Sequence, residues 1–214
     1  MRASQDDATI AVPGCGTMPR AAYCQPAMAS NAERADEQLM LDYRSGDIGA
    51  FDELYRRHKG GLYRYLLRQC RDGAAAAEMF QDVWLNLIRA RSNYQATAKF
   101  ATFLYRVAHN RLVDHYRKHA HPAEVSIEEQ EITEPVIVHY EQPEMRYERK
   151  QLAAQLLALL DALPPAQREA FVLQHEAGMS VEDIAAATGV TRETAKSRLR
   201  YALAKLRLGM SKWQ

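Results

Sequence analysis

The sequence predicts an all-α protein in which two small helical domains are joined by an acidic linker and the C-terminal domain contains a helix-turn-helix. Three observations support this fold class. Apolar residues recur at helical spacing, glutamates and prolines concentrate mid-chain, and a short capped helix precedes a basic helix near the C-terminus. The 214 residues, 47% hydrophobic and 26% charged, suit one large or two small soluble domains. Charges interrupt every long apolar run, so we expect a cytoplasmic protein without a membrane span or secretory signal.

The predicted N-terminal domain covers residues 36–120 and follows a loosely ordered tail, residues 1–35. Glycine and aspartate separate its helices, because they end one helix and cap the next. An aperiodic break at Ser92–Ala98 precedes the last helix. Apolar residues on one side of each helix predict a buried stripe. The four predicted helices span Asp36–Ser45, Asp47–Cys70, Ala74–Arg91 and Lys99–His119.

An acidic linker is predicted over residues 121–148. From Pro122 to Glu148, eight glutamates stand against one arginine, a net charge of −7, although the whole chain is near neutral at +1. Three prolines and scattered apolar residues leave no sustained helical period there. The C-terminal domain, residues 149–214, begins with the leucine-rich helix Gln151–Leu160. A further helix is predicted to begin at a proline pair and to run to Ala177.

A helix-turn-helix pattern follows and is the most specific signal in the chain. Ser180 and Asp183 fit a capping box, which predicts the start of a short helix that runs to Thr188. Gly189 permits a left-handed turn residue, and Thr191 caps a longer basic helix. A short helix, a glycine turn and a basic helix together indicate DNA binding.

The longer basic helix has two faces. At 100° per residue four apolar side chains fall on one side, which predicts a core face: Ala195, Leu199, Ala202 and Leu206. Charged and hydroxyl side chains elsewhere on the helix can reach phosphates or base edges. The candidate DNA-contacting residues are Arg192, Glu193, Lys196, Ser197, Arg198 and Arg200. A solvated basic helix packed on two others is the alternative to DNA binding.

The predicted helix Lys99–His119 mixes aromatic rings with basic side chains. This mixture suits single-stranded nucleic acid, because bases stack on the rings and cations neutralise the phosphates. Core packing is the alternative for Phe100, Phe103 and Val107, since an aromatic stripe at helical spacing is also typical of a buried face. The spacing alone leaves both interpretations open.

Motifs for catalysis and metal binding are absent from the sequence. His115 and His119 stand four residues apart, which suits a metal on one helix face, but neither Glu-x-x-His nor His-Glu-x-x-His occurs. There is no Gly-rich phosphate loop and no Gly-x-Ser-x-Gly motif. The cysteines at positions 15, 24 and 70 lack CxxC spacing. We therefore expect a protein that is not an enzyme and needs no metal or cofactor.

Three stretches resemble the extracytoplasmic-function, RpoE-like group of the bacterial sigma-70 family: Ala74–Tyr94, Phe100–Lys118 and Leu163–Arg207. The resemblance covers about residues 36–120 and 149–210, in the family's order. It implies a sigma-2 domain, residues 36–120, that docks on the beta-prime clamp of core RNA polymerase and opens the minus-10 element. It also implies a sigma-4 domain, residues 149–214, that contacts the beta flap and reads the minus-35 element with its helix-turn-helix.

The resemblance assigns roles to individual residues. Glu78, Gln81 and Asp82 correspond to the clamp-binding helix, although the preceding Ala75–Ala77 is less acidic than in many members. The break at Ser92–Lys99 corresponds to a loop that captures an extruded minus-10 base by amide and stacking contacts. The residues thereby expected at single-stranded minus-10 DNA are Asn93, Tyr94, Lys99, Phe103, Asn110, Arg111, Asp114, His115, Arg117 and Lys118. The helix-turn-helix residues become the expected minus-35 set.

The resemblance implies an RNA polymerase sigma factor that directs core polymerase to specific promoters and helps open them. Its partners would be core RNA polymerase and promoter DNA, and an anti-sigma factor is a further candidate. A stand-alone helix-turn-helix regulator, which would bind duplex promoter DNA without polymerase, is the alternative. A helical metal-binding bundle is a second alternative, and it would copurify with stoichiometric metal.

Overall fold

The computed structural model describes residues 31–119 and 143–211. Within these ranges the chain has helices and their connections but no strand, which confirms the predicted all-α class. The predicted tail up to residue 30 and the predicted linker up to residue 142 lie outside the described residues. No helix in the described part is long and apolar enough to cross a membrane. The α-helices are α1 (Asp36–Arg44), α2 (Ile48–Cys70), α3 (Gly73–Ala90), α4 (Phe100–His119), α5 (Pro143–Asp161), α6 (Pro165–Ala177), α7 (Val181–Thr188) and α8 (Arg192–Ser211).

Aspartate side chains cap two of the N-terminal helices. At the start of α2, Asp47 Oδ1 accepts a hydrogen bond from the backbone N–H of Ala50 at 3.3 Å. At the start of α3, Asp72 Oδ1 accepts from the N–H of Ala74 at 2.8 Å. These bonds satisfy donors that a helix N-terminus leaves without intrahelical partners. Arg71, between the two helices, takes the left-handed conformation at φ 59° and ends α2.

Residues 31–35, which the sequence analysis assigns to the tail, pack on the first helices. A short 3-10 helix, Asn31–Glu33, leads towards α1. Arg57 of α2 donates hydrogen bonds to the carbonyl oxygens of Asn31 at 2.8 Å and of Arg34 at 2.9 Å. A partly buried guanidinium therefore fixes the backbone of these residues against α2.

Helices α2, α3 and α4 enclose the main hydrophobic core. Helical spacing predicts a buried stripe on α2, and its Leu54, Leu62 and Leu66 are fully buried. Trp84 of α3 is also buried, and its ring meets Phe51 edge-on at a centroid separation of 5.7 Å. The other deeply buried side chains of α3 and α4 include Met79, Val83, Leu87, Phe100, Leu104 and Tyr105.

The start of α5 corrects one sequence-based expectation. The acidic linker is predicted to lack a helical period as far as residue 148, but the helix begins at Pro143. Proline has the restricted φ that suits a first helical position. The helix is only weakly amphipathic, so its apolar pattern gives no sign of this start.

The two predicted domains pack against each other. Helix α6 lies against α2, and α7 lies against α4. Together these two contacts form the interdomain seam. The main core continues across the seam, where Val172 and Leu173 of α6 and Ile184 of α7 are buried with residues of the N-terminal domain. The sequence analysis does not predict this packing, since periodicity identifies a buried face but not the helix that covers it.

Candidate nucleic-acid interface

The predicted helix-turn-helix forms from α7 and α8. The Ser180 hydroxyl accepts from the N–H of Asp183 at 3.1 Å, and the Asp183 carboxylate accepts from the N–H of Ser180 at 3.2 Å, which completes the predicted capping box. Gly189 follows at φ 67°, a left-handed value that glycine adopts without strain. The Thr191 hydroxyl accepts from the N–H of Thr194 at 3.2 Å and caps α8.

Helix α8 has a buried apolar face and an exposed basic face. The four residues predicted for the core face are all buried: Ala195, Leu199, Ala202 and Leu206. Four of the six candidate DNA-contacting residues are exposed: Arg192, Glu193, Lys196 and Arg200. Ser197 is half-buried, and its hydroxyl donates to the carbonyl oxygen of Thr194 at 2.9 Å. Cations on a helix that is anchored through its opposite face suit the major groove of DNA.

Two exposed arginines of α8 have intramolecular partners. Arg192 forms an ion pair with Glu182 of α7, and its guanidinium lies 3.3 Å from the Glu193 carboxylate. Both contacts are exposed, so each contributes little to stability. Arg200 lies over the ring of Tyr201, 5.0 Å from its centroid, in a cation–π contact.

Arg198 differs from the other candidate DNA contacts of α8. It is half-buried and lines a crevice of about 320 Å³ beside Val113 and Tyr116 of α4. In this structure Arg198 therefore lies at the interdomain crevice. The pattern of α8 alone does not reveal this position, because it depends on a helix about 80 residues earlier in the chain.

Arg111 joins two sets of residues that the sequence analysis treats separately. Its Nε donates to Asp82 at 2.6 Å, and its Nη2 donates to Glu78 at 3.1 Å. Glu78 and Asp82 belong to the expected clamp-binding set on α3, whereas Arg111 belongs to the expected minus-10 set on α4. Gln81, the third member of the clamp-binding set, is exposed. Sequence patterns give no sign of this pairing, because the partners lie on different helices.

The loop between α3 and α4 exposes Asn93 and buries Tyr94. Tyr94 is only 4% exposed, and its ring meets Phe103 edge-on at a centroid separation of 5.4 Å. Burial, together with the carboxylates of Glu37 and Asp36, raises the pKa of Tyr94 to about 12. Its hydroxyl has no hydrogen-bond partner among the described residues. Tyr94 is thus part of the wall of the domain here rather than an exposed stacking face.

The rest of the expected minus-10 set lies at the start of α4 and along it. Lys99, just before α4, is exposed, and Phe103 is half-buried. Arg117 lies 3.6 Å from Asp114 in an exposed ion pair. His115 is half-buried, with its ring 5.9 Å from that of Tyr116. The exposed members on α4 itself are Asn110, Asp114, Arg117 and Lys118.

An exposed apolar patch on α2 and α3 is not predicted from the sequence. It consists of Tyr55, Leu85 and Ile88, which remain accessible although large and apolar. Tyr55 packs against Trp84 at a centroid separation of 5.0 Å, which ties the patch to the core. Leu85 and Ile88 fall outside the buried stripe of α3, and apolar residues off that stripe are the signal that could have identified the patch. The patch continues from Gln81 along the same helix, one turn further on.

Asp183 also links the helix-turn-helix to the N-terminal domain. Its carboxylate accepts from Lys99 Nζ at 2.8 Å and from the Thr102 hydroxyl at 3.2 Å. Burial alone would raise the pKa of Asp183, but hydrogen bonds from Lys99, Ser180 and Thr102 outweigh burial and lower it from 3.8 to about 2. The carboxylate therefore stays ionised at neutral pH, where it holds these donors.

The contribution of Asp183 to the free energy of unfolding should decrease when the pH is lowered into the acid range. Its pKa in the folded protein lies below the ordinary value of 3.8, so ionised Asp183 stabilises the fold above that pH, and the stabilisation is lost as the pH falls towards about 2. We expect the wild type to lose more unfolding free energy across this interval than Asp183→Asn. Denaturant titrations at several pH values and constant ionic strength measure the difference. If the unfolding free energies of the two proteins fell equally with pH, the stabilising role of ionised Asp183 would be contradicted.

The described residues offer little for metal or thiol chemistry. Within residues 31–119 and 143–211, no three or more His, Cys, Asp or Glu side chains form a group that could hold a metal ion. Cys70, at the end of α2, is a half-buried free thiol. Burial is the main cause that raises the pKa of this thiol. Its thiolate, the nucleophilic form, is therefore scarce at neutral pH.

Two family models match the sequence. The model described as "Sigma-70 region 2" matches residues 54–121, which contain most of α2 and all of α3 and α4. The model described as "Sigma-70, region 4" matches residues 153–206, which contain the helix-turn-helix. Together the two matches cover more than half of the 214 residues.

Curated bacterial proteins and a solved structure are similar along most of the chain. RNA polymerase sigma factor CarQ of Myxococcus xanthus is 31% identical over 169 residues, 78% of this chain and 93% of CarQ. ECF RNA polymerase sigma factor SigM of Mycobacterium tuberculosis is 31% identical over 191 residues, 88% of this chain and 91% of SigM. The sigma factor RpoE of Bartonella quintana, solved with the anti-sigma factor NepR, matches with a TM-score of 0.58 and 21% identity, over 77% of this chain and 98% of RpoE. This last likeness shows a shared fold.

Proposed function

The chain belongs to the extracytoplasmic-function group of the sigma-70 family and is an RNA polymerase sigma factor, and we propose that its two helical domains divide promoter recognition between them. The domain at residues 36–120 docks on core polymerase and opens the minus-10 element. The domain at residues 149–214 contacts the beta flap and reads the minus-35 element. Polymerase supplies the catalysis, so the factor itself acts by binding and not as an enzyme.

The observation that carries this proposal is the division of α8 into a buried apolar face and an exposed basic face. Lys196 and Arg200 are exposed where phosphates and guanine edges can reach them. Glu193 can accept from cytosine N4, and Ser197 can contact either a base edge or a phosphate. Arg192 would exchange its ion pair with Glu182 for a phosphate. Arg198 would join this set after leaving the crevice beside α4.

The minus-10 element is proposed to bind the α3–α4 loop and α4. Asn93 supplies an exposed amide that can read an unpaired base. Lys99 and the cations further along α4 neutralise the phosphates of the separated strand. Tyr94 and Phe103 meet edge-on beside this loop, and a shift of the loop would expose their faces for stacking.

Docking on the polymerase clamp is proposed to use α3. Glu78, Gln81 and Asp82 provide the polar contacts, and the apolar patch at Tyr55, Leu85 and Ile88 provides area that core polymerase would bury. An apolar centre with polar residues at its edge is common in protein interfaces. Arg111 holds Glu78 and Asp82 through its two hydrogen bonds. It thereby connects the docking helix with the helix proposed to bind the opened strand.

Two further elements complete the proposal. RpoE of Bartonella quintana was solved with an anti-sigma factor, and an anti-sigma factor is a proposed partner of this chain as well. The factor would act in the cytoplasm, because core polymerase and promoter DNA are found there.

In vitro transcription with core RNA polymerase tests this function. We expect the purified factor alone to bind promoter DNA poorly. With core polymerase on genomic templates, we expect initiation at specific mapped start sites, and core polymerase without the factor is the control. The outcome against the proposal is specific binding of duplex promoter DNA by the factor alone with no effect on initiation. That result would identify a stand-alone regulator.

A further inference from the structure

We propose that helix α1 positions the α3–α4 loop, residues 91–99, so that Asn93 meets an extruded minus-10 base in one fixed conformation. Arg44 and Glu37 of α1 are the positioning residues, and neither belongs to the residues expected to contact DNA. This inference rests on the proposed function, because it concerns the loop proposed to bind the minus-10 element. It adds how that loop obtains its base preference.

Arg44 and Glu37 contact the chain on either side of residues 95–99. Arg44 Nη1 donates to the carbonyl oxygen of Tyr94 at 2.8 Å. Glu37 Oε1 accepts from the backbone N–H of Phe100, the first residue of α4, at 2.7 Å. Because the two side chains stand seven residues apart on α1, they fall on the same side of it, about 10 Å apart along its axis. One face of α1 therefore holds both ends of this segment.

Asn93 lies between two of the contacts with α1. On its N-terminal side, the Arg91 guanidinium lies over the ring of Tyr43, 5.2 Å from the ring centroid. On its C-terminal side is the hydrogen bond from Arg44 to Tyr94. The chain is thus held on both sides of Asn93, while the Asn93 side chain stays exposed. An exposed amide on a held backbone can present its donors and its acceptor to a base in a defined direction.

Helix α1 is itself fixed to the core of its domain. Leu39 and Met40 are fully buried. Both carboxylate oxygens of Asp36 are bound by α2, because Oδ1 accepts from Arg57 Nη1 at 2.6 Å and Oδ2 lies 2.7 Å from Nε2 of His58. A helix with buried apolar contacts of this kind moves little relative to its core, so its contacts with the loop define where the loop lies.

The loop's own backbone hydrogen bonds are short-range. The N–H of Tyr94 donates to the carbonyl oxygen of Arg91 at 3.3 Å. The N–H of Thr97 donates to the carbonyl oxygen of Gln95 at 2.9 Å. Residues 95–99 are all exposed, so burial does not fix them either. The backbone of the loop therefore owes its conformation largely to α1, and without α1 it would lose more conformational entropy on binding a base.

Arg44→Met tests the contact with Tyr94. The substitution removes the guanidinium but keeps an unbranched, flexible side chain. Arg44→Lys keeps a positively charged donor and should retain much of the effect of arginine. The matched control is Arg56→Met, because Arg56 is an exposed arginine of α2 that donates to Glu53 of its own helix. The control and the test variant lose the same charge.

Glu37→Met tests the contact with Phe100. Its conservative control is Glu37→Gln, because an amide oxygen can still accept from the Phe100 N–H. Hydrogen exchange of the free factor reports on this bond without DNA or polymerase. We expect the Phe100 amide to exchange about tenfold faster in Glu37→Met than in the wild type, since the amide loses its acceptor. Glu37→Gln should resemble the wild type.

Base preference is measured with the full-length factor bound to core polymerase. The templates are the promoter mapped by in vitro transcription and versions of it in which each minus-10 or minus-35 base is replaced in turn. The preference at a base is the ratio of initiation rates on the mapped and the altered template. We expect Arg44→Met and Glu37→Met to lower the preference at one minus-10 base about tenfold, which lies within the range that one well-placed base contact provides. Preferences at minus-35 bases should not change, and Arg44→Lys, Glu37→Gln and Arg56→Met should stay close to the wild type.

An unchanged minus-10 preference in both Arg44→Met and Glu37→Met would overturn the inference, and so would an equal loss at minus-35 bases or unchanged exchange of the Phe100 amide in Glu37→Met. A stronger preference in Arg44→Met also counts against it, because the loop would then have to leave α1 before it binds a base. Circular dichroism checks helix content. If Glu37→Met unfolds, Arg44→Met decides alone, since Arg44 is exposed. Failure of the proposed function is seen separately, as absence of initiation by the wild type with core polymerase.

Discussion

Lys196→Ala and Arg200→Ala should each weaken binding of the polymerase-bound factor to the minus-35 element by about 1 to 3 kcal/mol if the side chains contact bases. Lys196 and Arg200 stand one turn apart on α8, so the two losses are expected to couple, and the double variant measures that coupling. Where a side chain contacts a phosphate instead, affinity falls for every sequence, and the slope of log affinity against log salt decreases by about 1. Binding assays on promoter variants at several salt concentrations distinguish the two cases.

Lys205→Ala is the matched control for this pair. Lys205 is an exposed lysine of the same helix, but it stands nine residues after Lys196 and so roughly on the opposite side of α8. Its removal changes the net charge by the same amount, yet we expect little loss of minus-35 affinity. If all three variants behave alike, the effect is one of overall charge. If neither Lys196→Ala nor Arg200→Ala changes affinity or salt slope, the reading face of α8 is assigned wrongly.

Leu87→Ala should lower the free energy of unfolding by about 2 to 5 kcal/mol, because it removes three buried carbons and leaves a cavity in the main core. Leu87 is 0% exposed within α3. The cavity cannot fill easily, since α2 and α4 are held by other contacts across the same core. Equilibrium denaturation with urea measures the loss.

Leu85→Ala serves as the control in the same helix. Leu85 is 46% exposed, and its substitution by alanine removes the same three carbons two positions earlier in α3. We expect its unfolding free energy to stay within about 0.5 kcal/mol of the wild type, as for most surface substitutions. Equal losses for the two variants would mean that the assigned core of α3 is incorrect.

Local signals account for the elements that sequence analysis predicts well. The capping box at Ser180, the left-handed glycine at 189 and the cap at Thr191 involve residues within a few positions of one another, so the sequence contains all the atoms that make these contacts. The core face of α8 follows from the helical period alone. The start of α5 at Pro143 is not predicted, because the charge pattern there is typical of a linker and the helix is only weakly amphipathic.

Contacts between distant segments account for what sequence analysis misses. Gly61 approaches α6 closely, and Arg198 lies in the crevice beside α4, but each position depends on a helix far away in the chain. The burial of the Tyr94 ring likewise depends on contacts that the sequence pattern does not predict. Its residue type suits base stacking, whereas its burial against Phe103 depends on how the loop packs. Helical periodicity predicts which face of a helix is buried. It does not predict which other helix packs against that face.

Asp183 has two structural roles, and together they limit which substitutions this position can accept. One carboxylate completes the capping box at the start of α7 and also holds Lys99. Replacing Asp183 therefore removes the helix cap and the contact with Lys99 together, whereas replacing Lys99 leaves the capping box in place. Natural variation in the strength of this contact is therefore expected at position 99 rather than at position 183.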